Sequence, residues 1–415
     1  MGKYVYLYDF IYLRQNMSYS VLFNLFNKKI LMSDNFKVNR LLKKIEDTKL
    51  TYKGCFMSDF EYEDPAVKKF IDDIVEYSFG GFLIVDKDKA PVQFPSEVYV
   101  RGYDEEDNAL VLKYLNRDLN KCKSREFKLF EDRVCEGIYD NFMTLTLFLS
   151  SYSNIKYKNI SNQYYFPPFM LDDIVLDSEA VLKWIFPHKP KKINLVIGRF
   201  NDEIISDLMN ILSLNISCVN IYVLYSELDT LLDIVRQYSN CFIYVWCISG
   251  DNFDGIRNFS DKIESYYCLC ENRDDVDYFE SFDADELMTV VPFYNGKNYE
   301  FCMQYLSYSL RELFDEIDEE LYFRINSMIN SNIFGEINID VFGDVYTDIN
   351  KNKVGCISDS SLLQILRMEL LRNRNWFFTR RHLENCMGCL YSDLCPPISN
   401  FENYTKKYRL CKCME

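Results

Sequence analysis

The sequence predicts an α/β protein built on a partial (β/α)6 barrel, with a small α+β domain before it and a cysteine-rich module after it. Three observations predict this class. Short apolar runs alternate with amphipathic segments through the middle of the chain. In the first 95 residues, short strand-like segments come first and helical segments follow. Five of the 15 cysteines fall within residues 386–413. Continuous apolar strands separated by helices are typical of a parallel sheet covered on both faces.

Length and composition exclude several classes of protein. At about 100–200 residues per domain, 415 residues predict two to four domains. Apolar residues make up 48% of the chain, and no run reaches the roughly 18–20 apolar residues of a membrane span. Lys and Arg number 47 against 63 Asp and Glu, and a net charge of −16 disfavours binding to phosphate backbones. We therefore expect neither a membrane nor a nucleic acid as a partner.

The first residues also bear on location. They show no basic segment followed by an apolar run and a small-residue cleavage site, which a secretion signal requires. We therefore expect a cytoplasmic protein, in which clustered cysteines indicate metal binding rather than disulfides.

The N-terminal domain is predicted over residues 1–95. Tyr4–Leu13 has the aromatic and β-branched composition of a strand, and Ser20–Met32 that of a hairpin. Helical periodicity follows over Phe36–Ile45, and a second helix begins at Pro65 with Asp64 as its cap and ends at the Gly80 pair.

A small antiparallel sheet followed by helices resembles the winged-helix peptide-recognition domain of enzymes that modify ribosomally made peptides. In that family the leader of the precursor peptide adds as a strand to the sheet edge and packs against a helix. The resemblance implies a peptide-binding role for this domain, and an unrelated α+β domain is the alternative. The contact residues that it implies are Ile30, Leu31, Met32, Phe70 and Ile74.

The middle of the chain is predicted to form the barrel. Residues 96–140 are charged and irregular and are predicted to link the first domain to a barrel over 141–334. We expect the substrate site where the carboxyl ends of its strands open. The six predicted strands are Met143–Leu149, Ile193–Gly198, Val219–Tyr225, Cys241–Cys247, Tyr266–Cys270 and Met288–Phe293.

The segment after the first barrel strand resembles the cluster loop of radical S-adenosylmethionine enzymes. That loop holds a [4Fe–4S] cluster on Cys-x3-Cys-x2-Cys, whereas this chain has Ser153, Tyr157 and Ile160 at the three cysteine positions and keeps the spacer Asn154–Lys156. Hydroxyl, phenol and alkyl groups cannot replace thiolates as ligands of that cluster. We therefore expect no catalytic residue, no S-adenosylmethionine and no enzyme activity; chance similarity over eight residues is the alternative.

The third module is predicted over residues 335–415, with a hairpin at Ile337–Tyr346 and a helix at Ser360–Leu371. Its tail carries Cys-x2-Cys-x5-Cys and two later cysteines, a spacing that can wrap an iron–sulfur cluster. The chain has only two histidines, which disfavours His-based metal sites and Ser-His-Asp chemistry. The predicted ligands of one [4Fe–4S] cluster are Cys386, Cys389, Cys395 and Cys411, with Cys413 as the alternative fourth ligand.

This tail resembles the SPASM extension of radical peptide maturases, which carries two auxiliary clusters. The resemblance implies that the first of these clusters is lost, because Ser399 stands at one of its cysteine positions and Gly343–Asp348 carries no cysteine. Two alternatives to a [4Fe–4S] cluster stay open. One is a zinc site formed by Cys386 and Cys389 together with Cys411 and Cys413, and the other is a set of free thiols.

Together, the ligand-free barrel loop and the halved extension resemble the pseudo-radical-SAM/SPASM family of the GG-Bacteroidales peptide-modification systems. The resemblance covers residues 140–415 and is most specific from Gly343 onward. It implies a non-catalytic scaffold that works beside a radical peptide maturase on a small precursor peptide. Electron transfer through the tail cluster is the alternative function, and a zinc-stabilised peptide-binding protein is another.

Overall fold

The structure is a computed structural model of the 415-residue chain. Most of the predicted linker at 96–140 lies outside the residues that it describes. Those are residues 2–8, 10–49, 54–86, 89, 91, 138–171, 174–185, 188–214, 216–251, 262–281, 287–309, 312–313, 326–408 and 410–411.

The elements are numbered here in chain order. The strands are β1 Gly2–Leu7, β2 Ile11–Gln15, β3 Ser20–Asn24, β4 Ile30–Ser33, β5 Cys55–Met57, β6 Gly80–Val85, β7 Thr144–Phe148, β8 Lys192–Ile197, β9 Cys218–Leu224, β10 Cys241–Ile248, β11 Ile263–Cys270, β12 Met288–Pro292, β13 Glu336–Ile339, β14 Asp344–Tyr346 and β15 Gly355–Cys356. The helices are α1 Phe36–Lys49, α2 Asp59–Tyr62, α3 Pro65–Glu76, α4 Ser178–Ile185, α5 Asp202–Leu212, α6 Leu228–Val235, α7 Arg273–Glu280, α8 Tyr299–Leu306, α9 Leu362–Met368, α10 Glu384–Met387 and α11 Asn400–Thr405.

The N-terminal segment forms two three-stranded sheets, ordered β5-β1-β6 and β2-β3-β4. The single strand predicted over Tyr4–Leu13 is instead β1 and β2, because a turn closed by the bond from the Ile11 amide to the Tyr8 carbonyl sends the chain from one sheet to the other. The helix predicted from Pro65 is α3, and the Asp64 carboxylate accepts the amides of Ala66 and Val67 as its N-cap.

Gly80 marks a second difference from the sequence-based prediction. The glycine pair was expected to end α3, but α3 ends earlier, at Glu76, and Gly80 instead opens β6, which pairs antiparallel with β1. A Cβ atom at Gly80 would lie 1.9 Å from the Tyr6 carbonyl oxygen, so only glycine allows the two strands to approach so closely.

A nine-stranded sheet forms the centre of the molecule, in the order β12-β11-β10-β9-β8-β7-β13-β14-β15. The six predicted barrel strands correspond to β7 through β12, and each pairs in parallel with its neighbours in chain order. β13 extends the parallel part beyond β7, and β14 and β15 continue it antiparallel. The prediction of an α/β protein with a large, mostly parallel sheet is therefore confirmed.

The two faces of this sheet bury different side chains. Leu145, Ile193 and Ile221 alternate onto the face that α4, α5 and α6 cover, where they join the largest apolar cluster. The opposite face carries a second cluster that is rich in aromatic rings, including Tyr222 and Trp246. Side chains on a strand alternate between its two faces, which explains how each run of apolar residues supplies both clusters.

Polar side chains cross the aromatic face of the sheet as a hydrogen-bonded row. Thr146 Oγ1 on β7 donates to Glu336 Oε1 on β13 at 2.6 Å, and Asn194 Nδ2 on β8 donates to Thr146 Oγ1 at 3.0 Å. Asn220 Nδ2 on β9 donates to Asn194 Oδ1 at 3.2 Å, and Tyr165 donates to the Glu336 carboxyl at 3.0 Å. Burial raises the pKa of Glu336 to about 7 despite these donors.

The C-terminal module contains the predicted hairpin and helix. β13 and β14 pair antiparallel, and Gly343 in their turn has a φ of +79°. Ser361 caps α9, and a π-helical turn at Glu369–Asn373 follows it, so the segment expected as one helix changes its hydrogen-bonding pattern near its end.

A separate finding concerns membranes. None of the helices within the described ranges combines the length and the apolar character that crossing a bilayer requires.

The pKa of Glu336 generates a prediction about stability. A carboxyl whose pKa rises from 4.5 to about 7 on folding holds its proton in the native state while the unfolded state has lost it. Stability should therefore fall as pH rises between these two values. At 1.36 kcal/mol per pKa unit, we expect Glu336 to reduce the free energy of unfolding by about 2–3 kcal/mol between pH 5 and pH 8.

Urea unfolding of wild type and Glu336→Gln at both pH values measures this effect. The variant should lose less stability than wild type over the interval, because its amide does not titrate. Glu300→Gln, at an exposed position on α8, is the matched control and should follow wild type. Equal pH dependence of Glu336→Gln and wild type would contradict the assignment.

Candidate metal centre

Four of the five tail cysteines surround one cavity. Cys386, Cys389, Cys395 and Cys411 line a space of about 150 Å³, together with Arg380 and other side chains. Cys395 is buried and the other three cysteines are half-buried. The structure thus brings together the four residues that the sequence singles out, whereas Cys413 lies outside the described residues.

Consecutive tight turns bring the first three cysteines to the cavity. The Cys386 amide donates to the Leu383 carbonyl at 2.9 Å, and the Cys389 amide donates to the Cys386 carbonyl at 3.0 Å. The Cys395 amide donates to the Tyr391 carbonyl at 3.0 Å. The Tyr391 amide donates to the Cys389 sulfur at 3.4 Å, an interaction that favours a charged thiolate there.

Cys411 reaches the cavity through backbone pairing with a distant segment. It forms a parallel bridge with Tyr308, just after α8, and the Tyr308 amide donates to the Leu410 carbonyl at 3.1 Å. This pairing positions a ligand that is 16 residues beyond Cys395 in the chain.

Cysteine thiolates are ligands both of tetrahedral zinc sites and of iron–sulfur clusters. A tetrahedral zinc site with Zn–S bonds of about 2.3 Å requires thiolate sulfurs roughly 3.8 Å apart. No three His, Cys, Asp or Glu side chains among the described residues are grouped so that they could hold one metal ion. The four cysteines around this cavity could also supply one thiolate to each iron of a multi-atom cluster.

Without a metal, burial disfavours the thiolate form of these cysteines. Desolvation raises the pKa of the Cys386 and Cys389 thiols, and it raises that of Cys395 to about 12. The Arg380 guanidinium opposes this rise in the pKa of Cys386 and Cys395. The positive charge of Arg380 therefore favours the thiolate form of these two cysteines, which is the form that binds a metal.

Arg380 is buried at the wall of the cavity and its guanidinium contacts several segments. It forms a paired contact with the Glu402 carboxylate, at 2.9 Å and 3.1 Å, and donates through Nε to the Pro396 carbonyl at 2.6 Å. It also donates to the Tyr308 hydroxyl at 3.3 Å and to the Tyr408 carbonyl at 3.3 Å. A fork of N–H donors makes arginine suited to such a buried pair.

A second arginine pair links the cysteine loop to the N-terminal domain. Asp393, buried between Cys389 and Cys395, accepts two hydrogen bonds of 2.7 Å from Arg381. Arg14 on β2 lies 3.7 Å from the same carboxylate and also donates to the Met387 carbonyl at 3.4 Å. The loop that carries the candidate ligands is therefore tied to a strand almost 400 residues earlier in the chain.

Apolar packing strengthens this contact, which we call the sheet–loop interface. It consists of Tyr12, Val21 and Phe23 on β2 and β3, packed with Leu390, Leu394 and Cys395 of the loop. The Tyr12 hydroxyl donates to the Leu390 carbonyl at 2.8 Å. One candidate ligand, Cys395, therefore borders both the cavity and the N-terminal sheet.

The residues predicted for peptide binding occupy two environments. Ile30 and Met32 are 41% and 51% exposed on β4, an edge strand whose described partner is β3 alone, and Leu31 is half-buried. Phe70 and Ile74 are buried in the core of the N-terminal domain, so their side chains lie behind the surface that a peptide would touch. The Tyr391 hydroxyl of the cysteine loop lies 3.7 Å from the Met32 sulfur.

The three positions that correspond to the radical cluster loop do not converge on a site. Ser153 is exposed, whereas Tyr157 and Ile160 are buried in the aromatic cluster on the inner face of the sheet. Tyr157 lies against Phe166 and Phe293, with ring centroids 6.0 Å and 5.9 Å apart. The positions of Tyr157 and Ile160 are therefore explained by their packing in this cluster.

Several residues of this region were not identified from the sequence. Arg380, Tyr308 and Asp393 gave no signal, because an isolated Arg, Tyr or Asp carries no spacing pattern. The contact between β2 and the cysteine loop was also missed, since sequence periodicity describes one element at a time.

Comparisons with known proteins place this chain in no family. No family model and no curated protein matches it. Among solved structures it is similar to the crystal structure of Streptococcus suis SuiB bound to S-adenosylmethionine, with 10% sequence identity, a TM-score of 0.37 and 94% of each chain covered.

This comparison corrects one expectation. The sequence led us to expect that the chain is not an enzyme, and the S-adenosylmethionine-bound neighbour contradicts that expectation, which is withdrawn. A likeness at this TM-score assigns no activity in its place. The expected absence of S-adenosylmethionine from this chain stays a prediction.

Proposed function

We propose that this chain carries one [4Fe–4S] cluster on Cys386, Cys389, Cys395 and Cys411 and acts beside a radical peptide maturase. Its N-terminal domain would hold the ribosomally made precursor peptide. The observation that carries the proposal is the convergence of four cysteines on one cavity that borders the N-terminal sheet. A cluster bound there would supply rigidity to the tail and a redox centre.

The sheet–loop interface supports a link between metal binding and peptide binding. The loop that holds Cys389 and Cys395 packs against β2 and β3 and also contacts Met32 on β4. β4 is the edge to which an extended peptide could add, because backbone groups of an edge strand are available for pairing. Order in the loop therefore supports order in the proposed peptide-binding strand.

Electron transfer is a second candidate function, favoured by one observation. Cys386, Cys389 and Cys411 are only half-buried, so a cluster in this cavity would lie near the protein surface. Redox titration followed by electron paramagnetic resonance separates the two functions. A cluster that cycles reversibly within the range of cellular electron carriers supports electron transfer, and one that does not supports a structural role.

The metal content tests the proposed site directly. Protein purified anaerobically should contain about four irons and four sulfides per chain, as a [4Fe–4S] cluster requires. Cys386→Ala should lose most of this iron, whereas Cys356→Ser, a half-buried cysteine outside the cavity, should keep it. Comparing Cys411→Ser with Cys413→Ser identifies the fourth ligand.

Two results would count against the site. One zinc per chain without sulfide would favour the zinc alternative, and a full iron content in Cys386→Ala would exclude Cys386 as a ligand. Co-purification with a radical peptide maturase from the same genome tests the partner. Cys386→Ala should weaken that assembly, and Cys356→Ser should not.

The Asp393 pairing predicts an effect on metal retention without a change of ligand. Asp393→Asn removes the charge that Arg381 and Arg14 contact, and hydrogen bonds to charged groups contribute about 1.5–3 kcal/mol. We expect this variant to release iron to a chelator several-fold faster than wild type. Asp344→Asn, which breaks an outer pair with Lys353, is the control and should release iron at the wild-type rate.

The exposed edge of β4 predicts the peptide contact. Met32→Lys places a charge on this edge and should weaken binding of a fluorescein-labelled precursor leader peptide at least ten-fold, as measured by fluorescence anisotropy. Val75→Lys, at an exposed apolar position on α3, controls for added charge. Equal loss of affinity in both variants, or in neither, would contradict binding at β4.

A further inference from the structure

An apolar groove lies on the N-terminal domain, where α1, α2 and the first turn of α3 meet. Its volume is about 330 Å³, at the lower end of the range of small-ligand sites. We call it the helix groove, and its apolar walls are Phe36 and Leu41 of α1, Phe60 of α2 and Val67 of α3. None of the tail cysteines lines it.

The apolar walls differ in their exposure to water. Leu41 and Val67 are buried and belong to the core of the N-terminal domain, so they form a fixed floor. Phe36 and Phe60 are 77% and 87% exposed at the edges of the groove. Removing apolar surface from water is favourable, so two exposed phenyl rings above an apolar floor favour the binding of an apolar side chain.

Two ion pairs neutralise four of the charged side chains at the groove. The Asp64 carboxylate pairs with the Lys37 ammonium, and Glu61 Oε1 lies 3.1 Å from Lys44 Nζ. Both carboxylates also accept backbone amides at the starts of α3 and α2, which holds them in place. These four charges therefore cancel in pairs and offer no net charge to a ligand.

Arg40 supplies the remaining charge of the groove. Its side chain is exposed and lines the groove, and its guanidinium pairs with no carboxylate in the described part of the chain. Arg40 lies four residues after Phe36 on α1, and side chains at this spacing are neighbours on one helix face. A ligand carboxylate next to the apolar side chain would complement this positive charge.

The size and place of the groove favour a short peptide segment over the surface of a second folded protein. Stable interfaces bury about 800 Å² on each partner, whereas this groove has room for one or two side chains. α1 begins at Phe36, three residues after β4 ends at Ser33, and three residues span at most about 10 Å. A peptide strand paired with β4 would therefore reach the groove within a few residues of its end.

We infer that the helix groove binds a peptide segment that carries a large apolar side chain with a Glu or Asp beside it. The apolar side chain packs between Phe36 and Phe60, and the carboxylate pairs with Arg40. Both features follow from the groove itself. That the segment belongs to a precursor leader and continues from a strand added to β4 rests on the proposed function.

Fluorine NMR with two matched probes tests this inference. The probes are capped dipeptides in which trifluoroleucine is followed by glutamate in one and by glutamine in the other, so they differ only in the carboxylate. Wild-type protein should bind the glutamate probe about two- to five-fold more tightly, as expected for an exposed ion pair. Phe60→Ala should weaken both probes by a similar factor, whereas Phe342→Ala, an exposed ring outside the groove, should weaken neither.

Variants of Arg40 separate the charge from the apolar contact. Arg40→Gln should bring the affinity ratio of the two probes close to one, whereas Arg40→Lys keeps the charge and should preserve the preference. Lys69→Gln removes an exposed charge of α3 outside the groove and should also preserve it. Circular dichroism confirms that each variant is folded. Equal binding of the probes by wild type, an unchanged ratio in Arg40→Gln, or no binding of either probe would overturn the inference.

Light scattering tests the other possible occupant, a second copy of this chain. The same oligomeric state in wild type and Phe60→Ala supports a groove that is open to a peptide. A wild-type dimer that Phe60→Ala converts to a monomer would overturn the inference, because the groove would then be covered by the second copy.

The dipeptide assay and the labelled leader peptide distinguish the groove from the proposed function. A preference for the glutamate probe, together with leader binding that Met32→Lys leaves unchanged, would support the groove and contradict binding at β4. Loss of leader affinity in Met32→Lys without any preference for the glutamate probe would contradict the groove alone.

Discussion

The guanidinium of Arg380 joins the segments that surround the cysteine cavity. Its donors reach Glu402 on α11, the carbonyls of Pro396 and Tyr408, and the hydroxyl of Tyr308 next to the strand pairing that positions Cys411. A buried guanidinium tolerates few arrangements, because each unpaired N–H would remain without water. The hydrogen bonds of Arg380 therefore help to position Cys395 and Cys411 relative to each other, because its guanidinium bonds to the chain next to both.

The sheet–loop interface extends this constraint to the N-terminal domain. Cys395 packs with Val21 and Phe23, and the Asp393 carboxylate contacts both Arg381 and Arg14, so the cysteine loop shares an apolar cluster with the first domain. The cysteine loop and the N-terminal sheet are thereby linked, since each supplies a surface on which the other packs.

The sequence predicted the parts of this fold that depend on local pattern. The six apolar runs became β7 through β12 because buried parallel strands are apolar on both faces, and Asp64 followed by Pro65 marked the start of α3. The chain reversal between β1 and β2 was missed, because both strands have the same composition and only tertiary packing separates them.

The sequence predicted some residues of the candidate site and missed others. The four cysteines were found because their spacing is itself a pattern, whereas Arg380 and Asp393 act through contacts that sequence spacing does not encode. Tyr157 and Ile160 were judged as replacements for ligands, and the structure shows that packing also determines these positions. The cavity that Tyr165, Trp246 and Tyr267 line on the aromatic face of the sheet had no counterpart in the sequence, since its walls come from segments far apart in the chain.

The hydrogen-bonded row across Glu336, Thr146, Asn194 and Asn220 has a consequence for how the central sheet is aligned. These four side chains belong to four adjacent strands and meet only in one alignment. If a strand shifted by one residue, its polar side chain would point toward the helices. The polar side chains on the neighbouring strands would then be buried without a hydrogen-bond partner. The row therefore favours one alignment of the strands over the others. Apolar side chains alone would select this alignment less strongly, because their attraction does not depend on direction.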